Sequence, residues 1–299
     1  MPHPRLYLGL DVGGTKTALC AARHPDGGIT RTQGAGANLQ RRGPDATAAD
    51  LATLIHEAAE AASAPLAAVC LGVAGAGRPE DRDALTDALR RHLPPDVVVD
   101  VRPDSEIALE AAFDDGSGLL VIAGTGSIVL ARTRTGAFAR CGGWGYLLGD
   151  QGGGYQLGLQ ALQAVADQFD GGPATALTPA VAQAFGLTSP EALIRAVYRD
   201  GFALQQVAPL VLEAAASDAV AAAILQRNVE ALAQRVAWLV ERTGDVHPRL
   251  ALYGGLTQAP AYRARLLPAL ARVVPGWPIQ DATTTPAEAA LRLALRHAG

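Results

Sequence analysis

The chain has 299 residues, of which 49% are hydrophobic, and a formal net charge of -4. A chain of this length and composition can bury a large core, and it most naturally forms two domains. The acidic balance, without any basic cluster, excludes the electrostatic footprint of a nucleic-acid-binding protein. The longest apolar stretches have the length of strands and are interrupted by glycine, so we predict no membrane segment.

The cysteines of the chain argue against several kinds of structural and metal site. Cys20, Cys70 and Cys141 are the three cysteines of the chain, and they lie far apart in the sequence. Their odd number and the absence of Cys-x-x-Cys spacing argue against a disulfide framework, a zinc ribbon and an iron-sulfur site. We therefore expect a protein of the reducing cytoplasm.

The first half of the chain predicts three strands followed by alternating helices and strands. Apolar runs bounded by turn residues predict strands at residues 6–10, 17–22, 29–33, 66–73 and 97–101. Helix-starting residues and helical periodicity predict helices at residues 44–63, 79–93 and 104–113. The glycine-rich loop before the first of these helices carries Asn38.

A glycine-threonine turn connects the first two predicted strands. Its residues are Asp11, Val12, Gly13, Gly14, Thr15, Lys16 and Thr17. Glycines let the main chain approach a ligand closely, so that successive N-H groups can converge on phosphate oxygens. The Asp11 carboxylate can hold Mg²⁺ through water, and Lys16, which is the only lysine of the chain, suits a phosphate loop. A tight hairpin without a ligand, and a codon bias that left one lysine, are the alternatives.

A similar pattern begins again at Gly118. A strand at residues 119–123 leads into the turn Gly124, Thr125, Gly126 and Ser127, and a strand at residues 128–132 follows. An unusual loop at residues 140–154 precedes four or five predicted helices, the longest at residues 218–242. A strand at residues 250–253 ends in Gly254 and Gly255, a helix comes next, and residues 286–297 form a terminal helix.

The two turns occupy corresponding places in the two halves of the chain. This repetition favours two loops whose backbone N-H groups bind phosphate. The spacing of a P-loop is absent, and so is a Gly-x-Gly-x-x-Gly turn that opens a helix. The nucleotide sites recognised by those two motifs are therefore not expected. Phosphoryl transfer needs mainly positioning and charge neutralisation, which loops of this kind supply.

The chain resembles the N-acetylglucosamine kinase and BadF/BcrA-type ATPase group of the sugar-kinase and actin superfamily. The two turns are similar to the first and second phosphate segments of the family, and residues 252–256 to its adenosine segment. The most specific match is the run from Cys141 to Gly153, which is similar to the sugar-binding loop of the family. The three cysteines do not match the cluster ligands of dehydratase-activating ATPases from the same group.

The resemblance implies an α/β fold with two ribonuclease H-like (actin-like ATPase) domains. Each domain would have a mixed β-sheet with helices on both faces, and a cleft would lie between the domains. The expected boundaries are residues 1–115, with the helix 286–299 packing back on this domain, and residues 116–285, with a helical insertion.

The resemblance also assigns roles to individual residues. Asp104 would be the catalytic base that accepts the proton of a sugar hydroxyl, although an aspartate in this place could instead cap a helix. Asn38 would bind the sugar, or serve as a turn residue. Trp144 would present an apolar face to the sugar, or fill a gap in the core. Asp150 would bind ring hydroxyls, with Gly143 and Gln151 in the same loop. Gln151 stands where the family usually has glutamate, which leaves the preferred sugar open.

These expectations combine into one hypothesis. The chain would be an ATP- and Mg²⁺-dependent kinase for the 6-hydroxyl of an amino sugar, with N-acetylglucosamine as the expected substrate. Glucosamine, N-acetylmuramate and glucose are alternative substrates. A non-catalytic sugar sensor and an ATPase that activates a protein partner are alternatives of a different class. Since relatives in the family are often dimers, we expect a homodimer that binds a small-molecule sugar and neither nucleic acid nor membrane.

Overall fold

The computed structural model describes residues 5–14, 16–24, 27–37, 39–113, 115–282 and 284–297. The chain divides into two compact units. One consists of Met1–Gly116 and Ala282–Gly299, and the other of Ser117–Asp281.

Within the described residues the strands are β1 (Leu6–Val12), β2 (Lys16–Ala22), β3 (Thr30–Ala35), β4 (Leu66–Val73), β5 (Val98–Pro103), β6 (Gly118–Ala123), β7 (Ser127–Arg132), β8 (Phe138–Gly142), β9 (Leu250–Tyr253) and β10 (Ile279–Asp281). The helices are α1 (Leu39–Ala62), α2 (Pro79–Arg90), α3 (Asp104–Ala112), α4 (Gly154–Phe169), α5 (Leu177–Phe185), α6 (Pro190–Tyr198), α7 (Ala208–Ala214), α8 (Ala219–Thr243), α9 (Gly255–Gln258), α10 (Pro260–Val273) and α11 (Pro286–Leu295).

The first unit contains a five-stranded sheet in the order β3-β2-β1-β4-β5. Strands β1, β2 and β3 are antiparallel neighbours, whereas β4 and β5 run parallel to β1. The central strands β1 and β4 are almost continuously apolar, as expected for strands that are covered on both faces.

Alternate residues of β1 supply two hydrophobic cores. Leu8 and Leu10 pack in a core with residues of α1 and α2. Tyr7 packs in another core with residues of α3 and α11. A Cβ on Gly9 would overlap with the backbone of Leu291, so this glycine permits α11 to approach β1 closely.

The second unit repeats the topology of the first. Its sheet has the order β10-β9-β6-β7-β8, in which β6, β7 and β8 are antiparallel neighbours and β9 and β10 are parallel. Strands β6 to β10 therefore correspond in order and direction to β1 to β5. The predicted fold class of two ribonuclease H-like domains is confirmed at the level of the two sheets.

Three elements differ most from the sequence prediction. Residues 138–142, of which residues 140–142 were expected to be loop, form the edge strand β8, and residues 279–281 form the short edge strand β10. Helix α1 begins at Leu39 rather than at residue 44 and is broken at Gly43, which has a φ of 76°. The predicted strands at residues 66–73 and 250–253 have the observed bounds.

Helices α4 to α8 lie between β8 and β9 in the chain, and their apolar faces enclose the core of the second unit. Among the described residues, no single helix is both long and apolar enough for a membrane span. One bent pair, Leu204–Ala214 with Ala219–Thr243, meets the requirements of length and composition, with an angle of 113° between its parts.

Candidate functional site

The first glycine-threonine turn is closed by backbone hydrogen bonds. The Gly13 N-H donates to the Lys16 carbonyl at 3.0 Å, and the Ala37 N-H donates to the Gly13 carbonyl at 3.1 Å. The second of these bonds attaches the loop that precedes α1 to the turn. Gly14 and Lys16 are exposed. The predicted site residues Thr15 and Asn38 lie outside the described residues.

Thr17 is fully buried behind this turn. Its hydroxyl donates to the Ala35 carbonyl at 2.9 Å, which links β2 to β3. The predicted contact of Thr17 with phosphate stays a prediction, and the hydrogen bond favours a structural role for this side chain.

Asp11 and Asp104 lie at the same edge of the first sheet. Asp11 of β1 is paired with Gly72 of β4, and Gly72 with Arg102 of β5, two residues before Asp104. Burial raises the pKa of Asp11 to about 6; the charge of Asp104 adds to this increase and that of Lys16 opposes it. A carboxylate whose ionisation is disfavoured by burial and by the charge of a second carboxylate can bind a proton or a cation there.

Asp104 is the first residue of α3, and its side chain is solvent-accessible. Its Oδ1 accepts a hydrogen bond from the N-H of the next residue, Ser105, at 2.8 Å. The N-cap position belongs to Pro103, and no side chain caps the helix there. Asp104 is therefore not the N-cap residue, although its carboxylate binds one amide of the first turn of α3. Desolvation by the surrounding protein raises the pKa of Asp104, while hydrogen bonds from the backbone partly oppose it.

Arg102 connects the strand before Asp104 to the helix that begins with it. Its Nε donates to Asp100 Oδ2 at 2.9 Å, and its Nη1 lies 3.8 Å from Glu106 Oε2 in the first turn of α3. This ion-pair cluster was not predicted from the sequence, since Asp100, Arg102 and Glu106 match no motif. The available signal was their spacing across the junction of β5 and α3. Asp100 lies two residues before Arg102, and Glu106 lies four residues after it.

The second turn contacts the N-terminus of α4. The Gly124 N-H donates to the Gly126 carbonyl at 2.9 Å. The turn carbonyls of Gly124 and Thr125 accept hydrogen bonds from the first two amides of α4, those of Gly154 and Tyr155, at 2.8 and 2.9 Å. These bonds satisfy amides that a helix leaves without internal partners, and they fix the turn against α4.

Ser127 joins the turn to the loop at residues 140–154. This serine is buried, and its hydroxyl donates to the Gln151 carbonyl at 2.8 Å. Its own carbonyl accepts from the Gly143 N-H at 3.2 Å. The second phosphate turn and the candidate sugar loop, which we define as Cys141–Gly153, are therefore held together within one unit.

Asp150 has a left-handed backbone conformation with a φ of 61°, which is unusual for a residue other than glycine. Burial raises its pKa, while hydrogen bonds from the backbone of Ser127 and Gly145 and the charge of Arg235 oppose that shift. Strained backbone of this kind is found disproportionately at ligand sites. The carboxylate is thus held next to the second turn by its backbone partners.

Gln151 contacts an arginine that the sequence did not reveal. Arg235 of α8 donates a hydrogen bond to Gln151 Oε1 through Nη2, and to the Ala231 carbonyl through Nη1 at 2.8 Å. Because Arg235 lies 84 residues beyond Gln151 in the middle of a helix, no local pattern identified it.

Two buried polar groups hold the end of the loop. The Gly152 N-H donates to Asn228 Oδ1 at 3.1 Å, and the Tyr262 hydroxyl donates to the Gly152 carbonyl at 2.7 Å. A Cβ on Gly153 would lie 2.6 Å from the carbonyl carbon of Gly126, so the loop and the second turn make close backbone contact. Asn228 and Tyr262 were also not predicted.

Trp144 is 63% exposed, so it does not fill a gap in the core. The guanidinium carbon of Arg140 lies 4.8 Å from the centre of its ring, in the geometry of a cation-π contact. Gly143 precedes it with a φ of 67°. The ring is available for an apolar ligand surface.

Gly254 and Gly255 adjoin the second turn from the neighbouring strand. Because β9 pairs in parallel with β6, Gly254 follows at the same sheet edge as Ala123. A Cβ on Gly254 would overlap with the Ala123 carbonyl oxygen, and its φ is 105°. A Cβ on Gly124 or Gly255 would meet no atom within 4 Å, so both have open space beside them.

The donor set fits a hydrated magnesium ion better than a metal held entirely by protein. No group of three His, Cys, Asp or Glu side chains that could hold a metal occurs within the described residues. Mg²⁺ commonly uses one or two carboxylates, with waters and substrate phosphates as the other ligands. The Asp11 carboxylate alone would satisfy that requirement.

Comparison with known proteins identifies kinases among the relatives. The chain is 39% identical over 146 residues to an N-acetylmuramic acid/N-acetylglucosamine kinase of Clostridium acetobutylicum, an alignment that spans 48% of this chain and only about half, 47%, of that relative. It is 28% identical over 256 residues to an N-acetyl-D-glucosamine kinase of Dictyostelium discoideum, covering 80% of each chain.

A solved structure and a family model extend over nearly the whole chain. A candidate N-acetylglucosamine kinase from Chromobacterium violaceum superimposes with a TM-score of 0.77 at 28% identity, covering 98% of this chain and 100% of the other. The family model of the BadF/BadG/BcrA/BcrD ATPases matches residues 8–291. The chain belongs to the BadF/BadG/BcrA/BcrD ATPase family.

Proposed function

We propose that this protein is an ATP-dependent kinase that phosphorylates the 6-hydroxyl of an amino sugar, with N-acetylglucosamine as its main substrate. The observation that carries the proposal is the Asp104 carboxylate, accessible at the start of α3 and coupled to Asp11. The relatives named as N-acetylglucosamine kinases support the choice of substrate class.

Asp104 would accept the proton of the sugar hydroxyl as that oxygen attacks the γ-phosphorus. Its raised pKa brings it closer to neutral pH than an ordinary aspartate, which improves a general base provided that the carboxylate stays ionised. Its attachment to a helix that Arg102 holds against β5 would fix the direction of the carboxylate.

The glycine turns would bind the phosphates of ATP through main-chain N-H groups. The first turn would contribute Gly13, Gly14 and Thr15, with the ammonium group of Lys16 beside them. The second would contribute Gly124, Thr125, Gly126 and Ser127. Gly254 and Gly255 would lie against the adenosine, because they adjoin the second turn and Gly255 has open space beside it.

Asp11 would hold Mg²⁺ through water molecules, and the bound ion would neutralise charge that develops on the phosphates. Association of a cation with Asp11 would also favour the ionised form of Asp11, whose pKa is raised by burial and by the charge of Asp104.

The candidate sugar loop would bind the acceptor. Asp150 would accept hydrogen bonds from ring hydroxyls, and the exposed ring of Trp144 would cover an apolar face of the sugar. Asn38, Gly143 and Gln151 would complete the contacts. A homodimer in the cytoplasm remains our expectation for the assembled protein.

A coupled assay of ADP release tests the proposal. Initial rates are measured with N-acetylglucosamine, glucosamine, N-acetylmuramic acid and glucose, and with no sugar as the blank. We expect N-acetylglucosamine to increase ADP release strongly, and nuclear magnetic resonance of the product to show phosphate on O6. Binding without ADP release would indicate a sugar sensor, and ADP release that is independent of sugar would indicate an ATPase for a protein partner; either result would contradict the kinase proposal.

A further inference from the structure

Asp150 is the one acidic residue of the candidate sugar loop, and its carboxylate lies against the second turn. A Cβ on Gly126 would overlap with Asp150 Oδ2, so the absence of a side chain at Gly126 leaves room for the carboxylate. Backbone N-H groups of Ser127 and Gly145 donate hydrogen bonds to it. Partial burial makes such a carboxylate easier to protonate, and the protonated form has less capacity to accept hydrogen bonds from sugar hydroxyls.

Arg235 of α8 contacts the loop near both of its ends. A Cβ on Gly142 would lie 3.2 Å from Arg235 Cδ, so the aliphatic part of the arginine packs against the first glycine of the loop. Near the other end, Arg235 Nη2 donates to Oε1 of Gln151, the residue after Asp150. A hydrogen bond from Nη1 to the Ala231 carbonyl at 2.8 Å fixes the guanidinium on its own helix. One half-buried side chain therefore connects the start and the end of the loop.

The charge of Arg235 acts on the carboxylate of the same loop. Burial raises the pKa of Asp150, and the positive charge of Arg235 opposes this increase together with the backbone hydrogen bonds. Gln151 accepts its hydrogen bond from Arg235 through a neutral amide. The loop therefore offers the guanidinium no second carboxylate that would compete with Asp150.

The other titratable side chains of the loop and of its neighbours contact different groups. Arg140 of β8 lies over the Trp144 ring. Tyr146 of the loop stacks on Tyr155 of α4, with ring centres 4.6 Å apart. Cys141, which begins the loop, is half-buried on β8. Within the described part of the chain, the arginine of α8 is thus the charged side chain that affects the protonation of the loop carboxylate.

We propose that Arg235 is a positioning residue of the acceptor site, which holds both ends of the candidate sugar loop and maintains the Asp150 carboxylate as a hydrogen-bond acceptor for the sugar. The inference rests on the proposed function, because it takes this loop as the sugar-binding element. Arg235 acts through Gly142, Gln151 and Asp150 rather than by contact with the sugar. Its removal should therefore weaken sugar binding more than it slows phosphate transfer.

Calorimetric titration with N-acetylglucosamine, without nucleotide and between pH 8 and pH 5, measures this role. Arg235→Gln removes the charge, so the pKa of Asp150 should increase and its carboxylate should be lost at a higher pH than in the wild type. The deficit in affinity relative to the wild type should therefore widen as pH falls. We expect it to reach about tenfold at pH 5, the size of a lost hydrogen bond to a charged group. Arg235→Lys keeps the charge and should retain the pH dependence of the wild type.

Two further variants separate positioning from a general structural effect. Arg227→Gln makes the same charge change at an exposed position of α8, about 12 Å away along the helix, and should leave the affinity unchanged at each pH. In an Asp150→Asn background, Arg235→Gln should cause no pH-dependent loss, because the carboxylate is absent. A deficit of Arg235→Gln that is equal at every pH, or that still widens at low pH in the Asp150→Asn background, would overturn the proposal.

Thermal unfolding shows whether each variant folds. If Arg235→Gln does not fold, Arg235→Lys carries the test, since it retains the positive charge. A loss of affinity at low pH that is steeper in Arg235→Lys than in the wild type would then contradict the role of this charge.

Initial rates of ADP release distinguish this inference from the kinase proposal. In a working kinase, Arg235→Gln should raise KM for N-acetylglucosamine by a larger factor than it lowers kcat. If no sugar increases ADP release by the wild type, the kinase proposal fails, while a binding deficit that widens at low pH would still support Arg235. If ADP release depends on sugar but Arg235→Gln binds like the wild type at every pH, the role of Arg235 fails and the kinase proposal stands.

Discussion

Asp11 and Asp104 lie at the same edge of the first sheet, where the charge of Asp104 adds to the burial that raises the pKa of Asp11 to about 6. Neither carboxylate has an arginine partner in an ion pair within the described residues. An arrangement that disfavours ionisation in the folded chain reduces stability, and proteins retain such costs mainly at functional sites.

Asp11→Asn should therefore stabilise the protein in a pH-dependent manner. The pKa of Asp11 is higher in the folded chain than its ordinary value of 3.8, so the folded state binds the proton more tightly. The free energy by which Asp11 destabilises the folded chain grows as pH rises from the unfolded pKa to the folded pKa. This destabilisation is complete above about pH 6. We expect the gain from Asp11→Asn to be about 1 kcal/mol larger at pH 8 than at pH 5.

Urea denaturation at both pH values measures this difference. Asp83→Asn, at an exposed position of α2, is the matched control. An equal gain from Asp11→Asn at pH 5 and pH 8 would show that the carboxylate is not perturbed by folding.

Thr17→Val distinguishes a structural threonine from a phosphate ligand. The substitution keeps the shape of the side chain but leaves the Ala35 carbonyl without its buried donor. We expect a loss of about 1–2 kcal/mol in the free energy of unfolding, with little change in KM for ATP. Thr17→Ser should retain most of the hydrogen-bond contribution. A large increase in KM at unchanged stability would instead assign Thr17 to the phosphates.

Gly153→Ala tests the close contact between the candidate sugar loop and the second turn. The new Cβ would lie 2.6 Å from the Gly126 carbonyl carbon, and backbone atoms cannot rotate away. We expect destabilisation of about 1–3 kcal/mol in thermal or urea unfolding. Gly77→Ala, where a Cβ meets nothing within 4 Å, should change stability by less than about 0.5 kcal/mol. Equal stability of the two variants would refute the contact.

Arg102→Leu tests whether the ion-pair cluster positions Asp104. Loss of the contacts with Asp100 and Glu106 should let the first turn of α3 shift, and a small misplacement of a reacting group lowers kcat about tenfold or more. KM for ATP should change little, and Arg102→Lys should restore part of kcat. Arg90→Leu removes an exposed pair and serves as the control. An effect of Arg102→Leu on stability alone would leave the cluster with only a structural role.

Elements with a strong local pattern could be predicted from the sequence. The strand at residues 66–73 is a continuous apolar run between turn residues, and it was predicted with its observed bounds. Strand β8 was missed because it is an edge strand in which Phe138 and Arg140 are exposed, so it lacks an apolar run. Strand β10 is only three residues long and follows a proline.

The residues of the candidate site likewise include some that a local sequence pattern predicts and others that it does not. Turn residues such as Gly13 and Gly124 are recognisable because a glycine turn between two apolar runs is a local pattern. Arg235, Asn228 and Tyr262 reach the loop from distant helices, and only folding brings them to Gln151 and Gly152. The sequence marks which segments bend sharply, but it does not reveal which remote side chains support them.

Single-turnover transfer of phosphate from ATP to N-acetylglucosamine by wild type and Asp104→Asn is the most direct measurement of the proposed mechanism. We predict that the wild type forms the 6-phosphate and that Asp104→Asn slows transfer by about a hundredfold or more, the range of a lost general base, while its affinity for ATP is nearly unchanged. Transfer by Asp104→Asn at the wild-type rate would contradict the assignment of Asp104 and the proposed mechanism with it.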